Sequence, residues 1–282
     1  MSATALDLLP PPPPWIMGVL NVTPDSFSDG GRYAAVDAAV VQARTMLAEG
    51  ACCLDIGGEA TSPGTTPLDA AEELARIEPI VARLAGEAVL SIDTYHAATA
   101  ARCLELGARI VNDVSALRAD PAMADVVRDH AAVLVMMHAK DGPLPHASDR
   151  PRAYGDVVRE IGDFLEERIG HALSCGIPAE RLVLDPGWGR FVSLDPAHSF
   201  ELLRRFDELV LRFRPIPLLV GTSRKGFLGV PMADRDPVSQ LTALAAVGRG
   251  ALLVRTHAPR MMRQFIEMAG RSGLTRAWPP AP

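Results

Sequence analysis

The pattern that decides the fold first appears in Trp15-Ile-Met-Gly-Val-Leu-Asn-Val-Thr-Pro-Asp-Ser-Phe-Ser-Asp-Gly-Gly31, where an apolar, β-prone run leads into a polar loop. The same arrangement recurs along the chain. The further polar segments begin at residues 55, 91, 111, 184, 221 and 254. In a (β/α)₈ barrel the carboxyl ends of the strands converge on one face, where the chemistry of such proteins lies. Seven such segments therefore predict one shared pocket.

Eight apolar runs are predicted to be strands. They are residues 15–20, 51–56, 88–92, 108–111, 132–136, 182–184, 217–220 and 251–254. The runs are continuous in hydrophobicity, not alternating, which is typical of parallel strands covered on both faces. Helical patterns lie between and after them, at residues 35–49, 68–84, 97–106, 121–130, 156–174, 196–210, 237–248 and 259–270.

A doubly wound sheet would also alternate strands and helices, so alternation alone does not settle the architecture. Eight units in about 250 residues, with polar groups after nearly every strand, favour a single-domain α/β fold of the TIM-barrel type. No GxGxxG motif supports the alternative. We assign residues 1–14 to a proline-rich lead-in, 15–272 to the barrel and 273–282 to a C-terminal tail.

Composition excludes several classes of function. The chain has 282 residues, 48% hydrophobic and 22% charged, with a formal net charge of −6. A negative protein has no general attraction for nucleic acid or an anionic membrane, so we expect neither as a partner. No apolar stretch approaches the ~20 residues of a membrane span. The four cysteines show no CxxC spacing and predict buried free thiols in a reducing compartment, the cytoplasm.

Three polar residues at predicted strand ends indicate a binding site for a heterocycle. Asp93, Asn112 and Asp185 each follow a buried run. A buried carboxylate must be paired or hydrogen-bonded, so each alone also fits a structural role. Together they match a ring with several N–H donors, such as a guanine-like edge.

Basic and hydroxyl side chains indicate a phosphate site beside it. Ser223-Arg224-Lys225 and Arg255-Thr256-His257 end the last two strands, where barrels commonly bind phosphate, and the arginine and lysine suit a diphosphate. His257 fits either a phosphate donor or an ordinary strand-end histidine. Thr61 and Ser62 can donate to phosphate oxygens, and the Asn21 amide can hold an oxyanion or a metal.

These motifs resemble the dihydropteroate synthase family, which is the target of sulfonamide drugs. The matching segments are Gly18–Gly31, Asp55-Ile-Gly-Gly-Glu59, Ser91-Ile-Asp-Thr94, Asn112-Asp-Val-Ser115, Leu184-Asp-Pro-Gly187, Ser223-Arg-Lys225 with Phe227-Leu-Gly229, and Val254-Arg255 with His257. They span residues 15–258. The resemblance implies a TIM barrel that joins 4-aminobenzoate to 7,8-dihydropterin-6-ylmethyl diphosphate, releasing diphosphate and forming 7,8-dihydropteroate for folate synthesis.

The resemblance also implies roles for individual residues. Asp93, Asn112, Asp185 and Lys225 are expected to bind the pterin, and Asn21, Arg255, His257 and Lys225 to act in catalysis. We expect Mg²⁺ as cofactor, held by Asn21, and a homodimer. The diphosphate and aminobenzoate side is expected to comprise Asn21, Phe27, Thr61, Ser62, Pro63, Arg190, Ser223, Arg255 and His257.

The chain departs from the family pattern in the aminobenzoate half of the site. Ser62 stands where the family usually has an arginine. In the loop after Asp185, Arg190 stands where an aromatic residue is usual and Val192 where a lysine is usual. Arg190 is expected to supply the charge that position 62 lacks. The Ser193-Leu-Asp-Pro196 stretch and the ending Arg255-Thr-His-Ala-Pro259 are similar to sulfonamide-resistant variants of the family.

Two other functions remain open from the sequence. One is a pterin-binding homologue without synthase activity, suggested by Ser62 and Val192. The other is a pterin-dependent methyltransferase domain of the corrinoid type. The loop from Asn21 to Gly31 and the Ser223-Arg224-Lys225 motif argue against the methyltransferase, which has no diphosphate to expel.

Overall fold

Eight parallel strands form one sheet that closes into a barrel. The computed structural model describes residues 5–10, 13–22, 32–59, 66–142 and 152–274, with only the backbone at 32 and 33. The strands are β1 (Trp15–Asn21), β2 (Cys53–Gly57), β3 (Val89–Asp93), β4 (Ile110–Asp113), β5 (Val133–Met137), β6 (Leu182–Asp185), β7 (Leu219–Val220) and β8 (Leu253–Thr256). Their order is β6-β5-β4-β3-β2-β1-β8-β7, and a bridge between Leu184 and Leu218 joins the two edges. The predicted TIM barrel is confirmed.

The described helices surround this barrel. They are α1 (Arg32–Ala48), α2 (Ala70–Leu84), α3 (Ala97–Glu105), α4 (Met123–Asp129), α5 (Val157–Ser174), α6 (Pro196–Arg204), α7 (Phe206–Phe213), α8 (Arg235–Val247) and α9 (Pro259–Arg271). The prediction of a single helix over residues 196–210 was wrong, because the helix is interrupted at Arg205, which separates α6 from α7. The Arg205 guanidinium pairs there with Asp156, which caps the first turn of α5.

The strand register sets the polar strand-end residues at one level. Asn21 is paired with Gly57, Gly57 with Asp93, and Asp93 with Asn112. On the far side of the barrel Met137 is paired with Asp185. Each of these residues lies one residue beyond a predicted strand end, at or next to the last position of its strand. Their side chains therefore project from a rigid rim and not from loops.

The opposite end of the barrel is sealed by the residues before β1. Ala5, Leu6 and Leu9 are buried and pack with an interior layer of strand side chains. That layer includes Met17, Cys53, Ile110, Val135, Val183, Leu219 and Leu253. The barrel interior is therefore a packed core, as is usual for this fold, and the described part of the predicted lead-in is its floor.

Two further sequence expectations bear on this fold. All four cysteines are free thiols, but only Cys53 and Cys103 are buried, while Cys52 and Cys175 are half-buried. In the described ranges, no helix combines the length and the apolar character needed to cross a membrane.

Candidate active site

A cleft opens between the carboxyl ends of the strands. It brings together the three residues predicted to bind a heterocycle, Asp93, Asn112 and Asp185, with Lys225 and Arg255 beside them. Its lining is Asp93, Asn112, Val114, Met137, Asp185, Trp188, Phe191, Gly221, Lys225 and Arg255. The cleft combines convergent polar groups with apolar walls, which is typical of a small-molecule site.

A larger groove, of about 1020 Å³, lies at the other end of the molecule. Among its lining residues, Pro14 precedes β1, Arg214 precedes β7 and Ala251 precedes β8. The cleft has only about 30 Å³ of free space. We nevertheless place the chemistry in the cleft, because buried ionisable groups with shifted pKa values converge there.

A network of buried charged and polar groups lies behind the inner wall of the cleft. Arg255 donates from Nε to Asp55 Oδ2 at 2.6 Å and from Nη2 to Asp93 Oδ2 at 2.6 Å. Asp55 also accepts from Ser91 Oγ at 2.6 Å and from Asn112 Nδ2 at 3.0 Å. Sequence reasoning gave no role to Asp55 or Ser91. A carboxylate inside an apolar strand was the available signal, because such a group requires partners.

Burial shifts the ionisation of three groups in the cleft. It raises the pKa of Asp93 to about 7, although Arg255 opposes this shift, and it raises the pKa of Asp185 to about 6. Burial also lowers the pKa of Lys225 to about 8, and the positive charge of Arg255 adds to the effect. Two carboxyls and an amine that titrate between about 6 and 8 are therefore held around one small space.

The turn after β6 aims Asp185 into the cleft. Gly187 donates its backbone N–H to Asp185 Oδ1 at 2.8 Å, which fixes the carboxylate. Gly187 has a φ of +74°, and a Cβ there would lie 2.3 Å from the carbonyl oxygen of His138. Only glycine fits this position, which accounts for the Asp185-Pro-Gly187 motif.

Apolar side chains that sequence reasoning missed complete the walls. Lys225 Nζ lies 4.7 Å from the centre of the Phe191 ring, a cation–π contact. Trp188 stacks with Phe206 and Phe227 at ring-centre distances of 6.1 and 6.2 Å. Met137 lines the cleft together with Val114. Residues at these positions look like core in a sequence, since only the closed barrel shows which of them face a ligand.

A second set of polar groups lies at the adjoining end of β8. His257 Nδ1 is 2.9 Å from Ser223 Oγ, and the His257 backbone N–H donates to the same oxygen at 3.1 Å. Asn21 Nδ2 is 3.5 Å from His257 Nε2. Burial lowers the pKa of His257 to about 3, and the Arg255 charge adds to this, so the imidazole is neutral at pH 7. The structure thus brings Asn21, Ser223 and His257 together.

The middle residue of the Ser223-Arg224-Lys225 motif points elsewhere. Arg224 has a φ of +57°, an unusual conformation for a residue with a side chain. Its guanidinium makes two hydrogen bonds to Asp236 in the first turn of α8, at 2.7 and 2.8 Å. Its backbone N–H donates to Ser239 Oγ at 2.9 Å. Arg224 therefore anchors the loop that carries Ser223 and Lys225.

Each of the remaining predicted site residues lies either outside the described residues or outside the cleft lining. Phe27, Thr61, Ser62 and Pro63 lie outside the described residues. Arg190 is exposed on the short turn Gly189–Phe191, next to Phe191 but not in the cleft lining. Across the described ranges, no group of three or more His, Cys, Asp or Glu side chains is arranged to hold a metal ion.

Comparison with known proteins gives one consistent result. Residues 17–257 match the pterin binding enzyme family. The chain is 41% identical over 254 residues to a dihydropteroate synthase type-2 of Escherichia coli, covering 88% of this chain and 92% of that protein. It is 40% identical over 269 residues to a dihydropteroate synthase of Mycobacterium leprae, covering 92% and 93%.

Solved structures agree with this result. A Xanthomonas albilineans dihydropteroate synthase with 4-aminobenzoic acid has a TM-score of 0.83 and 37% identity over 94% of each chain. The same enzyme in complex with 7,8-dihydropteroate has a TM-score of 0.81 and 35% identity over 94% of this chain and 95% of that one. The chain therefore belongs to the pterin binding enzyme family and, within it, to the dihydropteroate synthases, transferases of folate synthesis.

Proposed function

We propose that this cleft binds 7,8-dihydropterin-6-ylmethyl diphosphate and joins its methylene carbon to the amine of 4-aminobenzoate. The observation that carries the proposal is the convergence of Asp93, Asn112, Asp185, Lys225 and Arg255 on one narrow space. The C–O bond to diphosphate breaks and a C–N bond forms, with loss of a proton from the amine. The products are 7,8-dihydropteroate and diphosphate.

Hydrogen-bond acceptors recognise the pterin, and aromatic side chains pack beside it. The carboxylates of Asp93 and Asp185 accept from ring and exocyclic N–H groups, as acidic side chains do with base edges. Lys225 supplies a donor for ring acceptors, and although burial lowers its pKa to about 8, the amine remains mostly protonated at pH 7. Trp188 and Phe191 enclose the ring from the sides.

Departure of diphosphate is assisted by the groups at the ends of β7 and β8. As the C–O bond lengthens, the pterin ring delocalises positive charge from the methylene, and negative charge accumulates on the leaving oxygen. Arg255 is positioned to donate a hydrogen bond to that anion. Ser223 and neutral His257 share one hydrogen bond, so one of them at a time can donate to the anion: His257 through Nε2 when Ser223 donates to Nδ1, or Ser223 when Nδ1 carries the proton. The aromatic amine is already nucleophilic, so no strong general base is required.

Mg²⁺ is proposed as a partner of the diphosphate. Magnesium usually keeps several waters and binds through one or two protein oxygens plus substrate phosphates, so it needs no protein cage. The amide of Asn21, exposed at the end of β1 beside His257, fits a single oxygen ligand of this kind. A bound ion would neutralise charge on the leaving diphosphate.

The aminobenzoate side, the oligomeric state and the location are also proposals. We assign Phe27, Thr61, Ser62, Pro63 and Arg190 to binding of 4-aminobenzoate and diphosphate, on family resemblance. A homodimer is supported by the larger groove, where Leu211 and Leu241 are exposed. Analytical ultracentrifugation tests it. Free thiols support a cytoplasmic location.

The deciding experiment is steady-state release of diphosphate with both substrates, with and without Mg²⁺. Turnover that requires 4-aminobenzoate supports the proposed reaction. Tight pterin binding without any diphosphate release would identify a pterin-binding homologue that is not a synthase. Full turnover in the presence of a chelator would remove the proposed role of Mg²⁺.

A further inference from the structure

Asp55 is a buried carboxylate that lies behind the cleft and is not part of its lining. It is fully buried in β2, and its two oxygens accept hydrogen bonds from three side chains. Ser91 donates to Oδ1, while Asn112 and Arg255 both donate to Oδ2. Two of these three donors line the cleft. Asp55 is thus in contact with the site without facing its ligand.

The hydrogen-bonding capacity of the Asp55 carboxylate restricts the side-chain orientations of Asn112 and Arg255. An ionised carboxylate only accepts hydrogen bonds, so Asn112 must direct its NH₂ group at Asp55. With its NH₂ group held at Asp55, the planar amide of Asn112 has its oxygen turned away from Asp55, and this oxygen and one N–H are left for other partners. Arg255 is restricted in the same way, since Asp55 holds Nε and Asp93 holds Nη2, which leaves Nη1 as the nitrogen that neither carboxylate engages.

We propose that Asp55 is a positioning residue that fixes the donor and acceptor pattern of the cleft. It makes Asn112 an acceptor toward the ligand and holds the Arg255 guanidinium in one orientation. This inference rests on the proposed function, because it concerns the same pterin site. It predicts that the ligand presents an N–H donor to Asn112, and that a heterocycle with an acceptor there is rejected.

The first test measures binding of 6-hydroxymethyl-7,8-dihydropterin, which lacks the diphosphate, by calorimetry. Asp55→Asn keeps the shape but replaces an acceptor-only group by one that can also donate. We expect the dissociation constant to rise at least about tenfold. Ser91→Ala is the matched control, because it removes a hydrogen bond from the other oxygen of Asp55, and it should change the constant less than about threefold.

A double-mutant cycle separates positioning from general damage. If Asp55 acts through Asn112, Asp55→Asn should weaken binding less when Asn112 is already replaced by alanine. Equal penalties in both backgrounds, or an Asp55→Asn protein that binds like wild type, would overturn the inference. A wild-type protein that binds no pterin would overturn the proposed function itself, and the inference with it.

A second variant covers the case in which Asp55→Asn does not fold. Asn112→Asp leaves Asp55 in place and sets two carboxyls face to face beside Asp93 and Arg255. Only the protonated form of the introduced carboxyl can donate to Asp55 and still present an oxygen to the pterin. The ratio of the variant's dissociation constant to that of wild type should therefore rise at least about tenfold between pH 6 and pH 9. A ratio that stays constant, or falls because the ionised form of the introduced carboxyl binds the N–H better, would overturn the inference.

Discussion

At the scale of single residues, Asp185 provides the sharpest test of the pterin site. Its carboxylate is fixed by Gly187 at the rim of β6. Asp185→Asn keeps the shape of the side chain but places an NH₂ donor opposite an N–H donor of the pterin. Loss of a charged hydrogen bond costs about 1.5–3 kcal/mol, so pterin affinity should fall by about tenfold to over a hundredfold. Calorimetry with the unfolded fraction checked by circular dichroism measures this, and unchanged affinity would remove Asp185 from the site.

The shifted pKa values predict opposite responses of stability and binding to pH. Burial raises the pKa values of Glu73, Asp93 and Asp185 to about 6–7, above the value of about 4 in an unfolded chain. The stability that these groups contribute is fully present below pH 4 and is lost as pH rises through 7. Pterin affinity should rise over the same range, because the ionised carboxylates are the acceptors.

Thermal unfolding of the ligand-free protein between pH 5 and pH 7.5 checks the stability half of this prediction. Asp185→Asn is the control, since it cannot ionise and should show a shallower fall in Tm. Calorimetry over the same range checks the binding half. Parallel rather than opposed trends would mean that these carboxyls are not ionised when the ligand is bound.

The sequence predicts most residues that have a proposed chemical role. It does not predict the residues that support them or that form the apolar walls of the cleft. Asp93, Asn112 and Asp185 interrupt apolar runs, so polarity at a strand end exposes them. Asp55 also interrupts such a run, but its role depends on contacts with Asn112 and Arg255 that are 57 and 200 residues away in sequence. Trp188 and Phe191 carry no polar signal at all.

At the scale of elements, the loop between β7 and α8 divides three consecutive side chains among three partners. Ser223 contacts His257, Arg224 contacts Asp236 and Lys225 contacts Phe191. We predict that Arg224→Ala reduces kcat/KM about tenfold or more, because Ser223 and Lys225 lose their shared anchor. The left-handed backbone at Arg224 is strained for a non-glycine residue, so its partners must hold it.

Steady-state kinetics of two further variants complete this test. Asp236→Asn should reproduce the loss, since it weakens the same bidentate pair. Arg44→Ala is the matched control, because Arg44 makes an equivalent bidentate pair with Glu87 on the outer surface. Similar kinetics in the Arg224 and Arg44 variants would show that the anchor has no functional role.

The short turn after β6 carries the proposed substitute for the missing loop arginine. Arg190→Ala should reduce kcat/KM for 4-aminobenzoate by about tenfold, or at least ~1.4 kcal/mol of transition-state stabilisation. Pterin affinity should barely change, since its contacts lie deeper in the barrel. Ser62→Arg in the same variant should restore activity. Wild-type kinetics in Arg190→Ala would show that this charge is incidental.

Element boundaries show where sequence patterns lose information. Residues 196–210 read as one helix because their apolar spacing continues across Arg205. At the break Arg205 pairs with Asp156, a contact with a residue 49 positions earlier in the chain that no local spacing reveals. Several strands were predicted to end one residue too early, because a polar residue was taken as the end of an apolar strand. At the rim of the barrel the strand continues through such a residue, since neighbouring strands supply its hydrogen-bond partners.

At the scale of the whole molecule, the floor of the barrel should govern stability without affecting catalysis. Leu6 is 1% exposed and packs against the interior layer at the end away from the cleft. Leu6→Ala should lower the free energy of unfolding by about 2–5 kcal/mol while leaving kcat unchanged. Urea denaturation measures the loss. Leu8→Ala, at a half-buried neighbour, should cost clearly less.

The order of groups around the barrel has a consequence for how such enzymes diversify. The acceptors Asp93, Asn112 and Asp185 come from β3, β4 and β6, whereas Ser223, Arg255 and His257, the proposed donors to the diphosphate, all follow the narrow junction between β6 and β7. Lys225 of the pterin side also follows that junction, and Asn21 of the diphosphate side precedes it. A genetic crossover near residue 215 would therefore exchange the three diphosphate donors and keep the three ring acceptors. Chimaeras of related enzymes joined at that junction are the natural place to observe how far heterocycle and leaving group can be inherited from different parents.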